Sequence, residues 1–120
     1  MLKEPIFKIV SITHEDNTVN AVLEIDQLNE IFNGHFPDQP VVPGACMLQM
    51  VKEVLADALK VSLRLVKADN IKFLSLIPPS AQSLQLNINY LLTDSDIKVN
   101  STLSSGEYTC MKLQGMFTVL

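Results

Sequence analysis

Between residues 84 and 92 apolar and polar side chains take turns: Leu84, Leu86, Ile88, Tyr90 and Leu92 alternate with Gln85, Asn87 and Asn89. A period of two sends successive side chains to opposite faces, so this stretch predicts a half-buried strand. The same alternation runs through Thr18 to Ile25, where Val19, Ala21, Leu23 and Ile25 oppose Asn20 and Glu24. It recurs at Ile97, Val99, Ser101 and Leu103, and again from Glu107 to Val119, with Met111, Leu113, Phe117 and Val119 on one face. Phe7 to Thr13 reads as a first strand, joined to the second through the turn-forming Glu15-Asp16-Asn17. Arg64 to Leu74 reads as a further strand with a bend in it, ended by Pro78-Pro79-Ser80, and Ser104-Ser105-Gly106 turns the chain before the last strand.

One segment changes period. From about Pro43 to Lys60, the residues Met47, Val51, Val54, Leu55, Ala58 and Leu59 fall on a helical stripe, with Gln49, Lys52, Glu53, Asp57 and Lys60 on a narrower polar one. Pro43 suits the first turn, where its missing N–H costs nothing. Ala45-Cys46-Met47-Leu48 is apolar nearly all round, which predicts that this end of the helix is buried on every side. The order is two strands, one substantial helix, then about four strands. A lone helix beside an antiparallel sheet has to be covered by that sheet. The expected fold is therefore α+β, an antiparallel sheet wrapped around one long central helix, which is the hotdog arrangement. Neither an internal repeat nor a low-complexity linker interrupts residues 1–120, which read as a single domain.

Composition narrows the function classes. A chain that is 48% hydrophobic and 18% charged has enough apolar matter for a core. The net charge of −4 argues against a general nucleic-acid role, which needs an excess of Lys and Arg. Zinc-finger spacing, a Walker loop and a GxGxxG pattern are missing from the sequence, so neither a metal nor a nucleotide cofactor is expected. No apolar run approaches a membrane span, and Met1-Leu2-Lys3-Glu4-Pro5 lacks the layout of a signal peptide. Cys46 and Cys110 are far apart and read as two reduced, packed thiols of a cytoplasmic protein.

The chemistry concentrates in Asn33-Gly34-His35-Phe36-Pro37-Asp38-Gln39-Pro40-Val41-Val42-Pro43-Gly44. Three prolines in seven residues exclude helix interior and central strand, leaving a stiff loop. This loop carries an imidazole to just before the start of a helix, whose first N–H groups have no intrahelical partner and sit at the positive end of the macrodipole. Gly44 would let a ligand approach the backbone closely. A thioester carbonyl bonded to that amide would be polarised, and neutral His35 is matched to remove the neighbouring proton near pH 7. The residues thus fit proton abstraction alpha to a carbonyl. An isolated loop histidine is also, ordinarily, a surface or hydrogen-bonded structural residue, and from the residues alone both readings stand. His14, beside an acidic turn, reads as structural.

Gly34 to Gly44 resembles the signature of the beta-hydroxyacyl-ACP dehydratases, G-H-F-P-G-x-P-[IV]-[MV]-P-G leading into a central helix. Ile71-Lys72-Phe73 followed by Ile77-Pro78 is similar to a later strand of that family, although only the first motif is diagnostic. The resemblance implies a hotdog fold and removal of water from a 3-hydroxyacyl thioester. It implies His35 as the catalytic histidine and the Gly44 amide as oxyanion donor, with Phe36, Val42, Pro43 and Ala45 around the substrate. It further implies a dimer or higher oligomer whose sites lie between subunits, and acyl carrier protein or coenzyme A as the carrier of the substrate. The family's carboxylate on the helix, which serves the 3-hydroxyl, falls at Gln49 here. An amide can orient a hydroxyl but has no titratable proton near neutral pH. Asp38 in place of Gly, and Pro79-Ser80 in place of Gly-Asp, are lesser departures. Glu53, one turn beyond Gln49, reads as a solvated residue and not as a replacement acid.

Three readings follow: an active dehydratase, a subunit that borrows a carboxylate from a related chain in a heterodimer, or a thioesterase or acyl-binding module on the same fold. The lost carboxylate counts most against a thioesterase. Lys60, Arg64, Lys67 and Lys72, with Asp69 the only acid among them, are candidates for docking an acidic carrier protein, or equally a solvated helix end and strand edge.

Overall fold

The structure is a computed structural model that describes residues 7–26, 42, 44–78 and 83–120. Strands β1 (Phe7–Glu15) and β2 (Thr18–Ile25) precede helix α1 (Gly44–Leu59). Strands β3 (Leu63–Phe73), β4 (Leu84–Thr93), β5 (Asp96–Ser105) and β6 (Tyr108–Val119) follow it. All six strands join one sheet in the order β1-β2-β4-β5-β6-β3, and every neighbouring pair is antiparallel.

Three two-residue turns set the register. Glu15 pairs with Thr18, Thr93 with Asp96, and Ser105 with Tyr108. Each turn opens on a residue with positive φ: Asp16 at 52°, Asp94 at 54° and Gly106 at 60°. Asp and Gly tolerate that region, and the handedness of such turns matches the twist of the paired strands. The helix ends by a related device. Lys60 adopts φ 59°, and the Val61 N–H donates to the Ala56 carbonyl at 3.2 Å, closing a Schellman-type cap.

The expected alternation in β2 and β5 is fully realised: Val19, Ala21, Leu23 and Ile25, and Ile97, Val99, Ser101 and Leu103, are all buried. In β4 it holds at Leu84, Leu86 and Ile88, then fades, with Tyr90 half-buried and Leu92 exposed where the strand runs beyond the helix. The bend expected in the third strand appears as two register shifts in β3 against β6, at Leu65/Lys67 and Ala68/Asn70. Gly115 of β6 lies under the first bulge. A Cβ there would stand 2.6 Å from the Lys67 carbonyl oxygen, so only glycine permits this approach.

Helix α1 lies against the apolar face through Cys46, Met47, Met50, Val51, Val54 and Leu55, all buried. Spacing of three and four puts them on one stripe. Ala58 and Leu59, expected on that stripe, are only half-buried, because the stripe rotates past the sheet at the last turn. The N-terminal end departs more from expectation: Ala45 is exposed and Leu48 half-buried. The sheet covers one side of the helix only, so an all-round apolar turn keeps an uncovered side in a single chain.

Candidate functional site at the start of the helix

Two stretches meet at the first turn of α1. Residues leaving β3 are tied down by the Leu74 and Ser75 N–H groups, which donate to the Cys110 carbonyl at 2.8 and 3.3 Å. The Val42 N–H donates to the Ile77 carbonyl at 2.8 Å, fastening the approach to the helix onto this segment. Val42 and Ile77 are buried, whereas Phe73 and Leu74 are each 52% exposed and Leu76 is 70% exposed. An apolar patch therefore borders the helix start, where the leading N–H groups lack intrahelical acceptors.

Gly44 holds this arrangement together in a way that differs from expectation. The space that a side chain would take is filled by the Phe73 ring: a Cβ on Gly44 would lie 2.9 Å from Phe73 Cζ and 3.1 Å from Cε1. The glycine thus admits an aromatic wall directly against the helix start. Phe73 was missed as a site residue by sequence reasoning, because a contact between a strand end and a helix start has no periodicity to announce it. The available signal was the pairing of an obligatory glycine with a phenylalanine in the second, less specific motif.

Of the expected site residues, Gly44, Val42 and Ala45 come together at this end. His35, Phe36 and Pro43 lie outside the described residues. Gln49 is exposed on α1, and its Nε2 donates to Glu53 Oε1 at 3.1 Å. Glu53 is partly exposed and accepts this bond.

The remaining candidates separate from this end. Lys60 pairs with Asp57 at 3.8 Å and Lys67 with Asp69 at 3.5 Å, all four well exposed. Arg64 and Lys72 are exposed at opposite ends of β3, so the four cations string along an edge and do not gather into one patch. Cys46 and Cys110 are free and buried, and burial pushes both thiols up, which disfavours the thiolate a nucleophile needs. His14 pairs through Nε2 with the Tyr90 hydroxyl at 2.6 Å, locking the β1–β2 hairpin against β4, as a structural residue would. Among the described residues no group of three His, Cys, Asp or Glu could hold a metal, and no helix is long and apolar enough to cross a membrane. Two shallow grooves of 260 Å³ each lie on the sheet away from the helix start, one lined by Ser11, Asn20, Gln85 and Thr102, the other by Lys67, Lys98 and Gln114.

Among the described residues, a six-stranded antiparallel sheet packed on a helix whose glycine-started end borders an apolar patch defines a hotdog-fold protein. The solved heterocomplex ApeI:P from Xenorhabdus doucetiae has this fold, with TM-score 0.75 and 20% identity, covering 92% of this chain and 96% of that one. An uncharacterized protein from Erwinia carotovora subsp. atroseptica shares it at TM-score 0.65 and 23% identity, covering 94% and 92%. A family model described as ApeI-like, ApeI dehydratase, matches residues 11–111, and the chain belongs to that family. The 3-hydroxyacyl-[acyl-carrier-protein] dehydratase FabZ of Francisella tularensis subsp. novicida (strain U112) is 39% identical over 49 residues, which is 41% of this chain. The match spans 30% of that curated relative's length.

Proposed function

We propose that this chain is a 3-hydroxyacyl-thioester dehydratase that binds its substrate's carbonyl at the start of α1 and completes its site with a second subunit. The observation that carries this reading is the Gly44–Phe73 contact: an aromatic wall packed on a helix-start glycine, open to an exposed apolar patch. Family membership and the matching stretch of a 3-hydroxyacyl-ACP dehydratase support it.

In this proposal the thioester carbonyl accepts a hydrogen bond from the Gly44 N–H, which stabilises negative charge developing on that oxygen. His35 takes a proton from C2. The C2 electron pair forms the C2–C3 double bond as the C3–O bond breaks, and the departing hydroxide takes a proton to leave as water. Gln49 has no titratable proton to give, so the imidazolium of His35 is the donor this chain supplies. Phe73, with Val42, Phe36, Pro43 and Ala45, shields the thioester from water. Acyl carrier protein or coenzyme A would carry the substrate; Lys60, Arg64, Lys67 and Lys72 form no single docking patch, and Lys60 and Lys67 already pair with Asp57 and Asp69.

A second reading shares the site and differs in who supplies the acid. Strand β3 is an eleven-residue edge, and Phe73, Leu74 and Leu76 beside it are exposed, so this edge suits a second subunit of the same or a related chain. A related subunit carrying a carboxylate would restore what Gln49 lacks; the relative from Xenorhabdus is itself a dehydratase heterocomplex.

The test is conversion of 3-hydroxyacyl-ACP to trans-2-enoyl-ACP by the purified chain, compared with His35→Ala and Gln49→Glu. Activity abolished by His35→Ala supports the solo dehydratase. Activity gained only with Gln49→Glu, or only with a related subunit, supports the heteromeric enzyme. Release of free thiol without enoyl product would refute both in favour of a thioesterase.

A further inference from the structure

Gln49 and Glu53 stand one helical turn apart on the same face of α1. The only ordering contact found for the Gln49 side chain among the described residues is the donation from its Nε2 to Glu53 Oε1 at 3.1 Å. The two ends of a glutamine amide are nearly the same shape and opposite in hydrogen-bonding sense. A carboxylate can only accept, so Glu53 selects the end it faces: the NH₂ turns along the helix towards it. The carbonyl Oε1 is the end Glu53 does not engage, and it is left to meet a ligand on this exposed face of the helix.

We infer that Glu53 is a positioning residue that makes Gln49 a hydrogen-bond acceptor, and that the pair sorts acyl thioesters by the group at C3. The inference rests on the proposal that position 49 meets the C3 end of the substrate. A 3-hydroxyl group can donate to Gln49 Oε1. A 3-oxo group offers only lone pairs and would face the carbonyl oxygen unfavourably. A saturated chain offers nothing. The site would then hold the 3-hydroxyacyl thioester selectively before any chemistry, which is useful to a chain whose position 49 has no acid to contribute. The proposal forms and breaks no covalent bond.

The test is calorimetric binding of three amide-linked pantetheine analogues, 3-hydroxyacyl, 3-oxoacyl and saturated acyl of equal length, to the full chain. Wild type should bind the 3-hydroxy analogue about tenfold more tightly than the saturated one, the worth of one ordinary hydrogen bond, and the 3-oxo analogue no better than the saturated one. Glu53→Leu removes the acceptor, frees the amide to turn over, and should bring the 3-hydroxy and 3-oxo affinities to within about twofold of each other. Glu53→Lys puts a donor where the acceptor was. It should turn the amide round, so that the 3-hydroxy and 3-oxo groups both accept from Nε2 and the 3-oxo analogue rises to the affinity of the 3-hydroxy one. A role for Glu53 confined to helix stability would shift all three affinities together and leave their ratios alone. Unchanged ratios in both variants, or a wild type that binds all three alike, would overturn the inference while leaving acyl-thioester binding intact. Failure of wild type to bind any of the three would instead remove the functional reading, and the inference with it.

Discussion

The two ends of helix α1 are built to different purposes. Towards the C-terminal end Val54 and Leu55 are fully buried in the same core as Leu63, and the Lys60 cap turns the chain into β3. The residue that follows β6 ties this end down, with the Leu120 N–H donating to the Ser62 carbonyl at 2.9 Å. At the N-terminal end the helix begins on a glycine, an aromatic ring stands against it, and Phe73, Leu74, Leu76 and Ala45 remain uncovered. One end satisfies its own backbone, with Ala58 and Leu59 half-buried beside it. The other leaves apolar surface and helix-start amides for something else to meet. In the proposed function, substrate and second subunit both meet the chain at the open end.

Substitutions at the two ends should therefore separate activity from stability. The largest effect is expected from His35→Ala, which should lower the dehydration rate by about 10²–10⁴-fold without changing the unfolding midpoint. Leu55→Ala at the closed end should do the reverse. It should cost about 2–5 kcal/mol in denaturant unfolding, with the rate per folded molecule unaltered. Gly115→Ala should destabilise by about 1–3 kcal/mol, because the added carbon meets the Lys67 backbone, which cannot swing aside. Phe73→Ala sharpens the contrast: the ring is half exposed, so stability should fall by under about 1 kcal/mol, while KM for the acyl thioester rises and kcat changes less. Ser101→Ala is the smallest and has the opposite sign. The Ser101 hydroxyl is buried between Ile88 and Leu113 with no partner among the described residues, so its removal should stabilise the fold by about 1 kcal/mol.

The closed end was readable from sequence because its information is periodic. Val19 to Ile25 and Ile97 to Leu103 face a core that covers the whole length of their strands, so alternation and burial coincide. Where cover stops, the pattern misleads: Leu92 continues the alternation of β4 beyond the helix and is exposed, and Ala45 and Leu48 continue an apolar turn past the sheet. At the open end the sequence offers candidates but not geometry. The loop motif names Gly44, and the resemblance extends to Gln49 on the helix. It could not reveal that the Phe73 ring takes the space at Gly44, or that Glu53 accepts from Gln49, since both depend on side chains meeting in three dimensions.

The proposed chemistry requires His35 to take a proton from C2 of the bound thioester. Incubating the chain with a 3-hydroxyacyl thioester in D₂O and recovering the substrate measures that step, because deuterium enters C2 whether the proton exchanges directly or returns through rehydration of the enoyl product. Deuterium at C2 with wild type, lost on His35→Ala, is the predicted result. Bound substrate that gains no deuterium, or gain that survives His35→Ala, would contradict it.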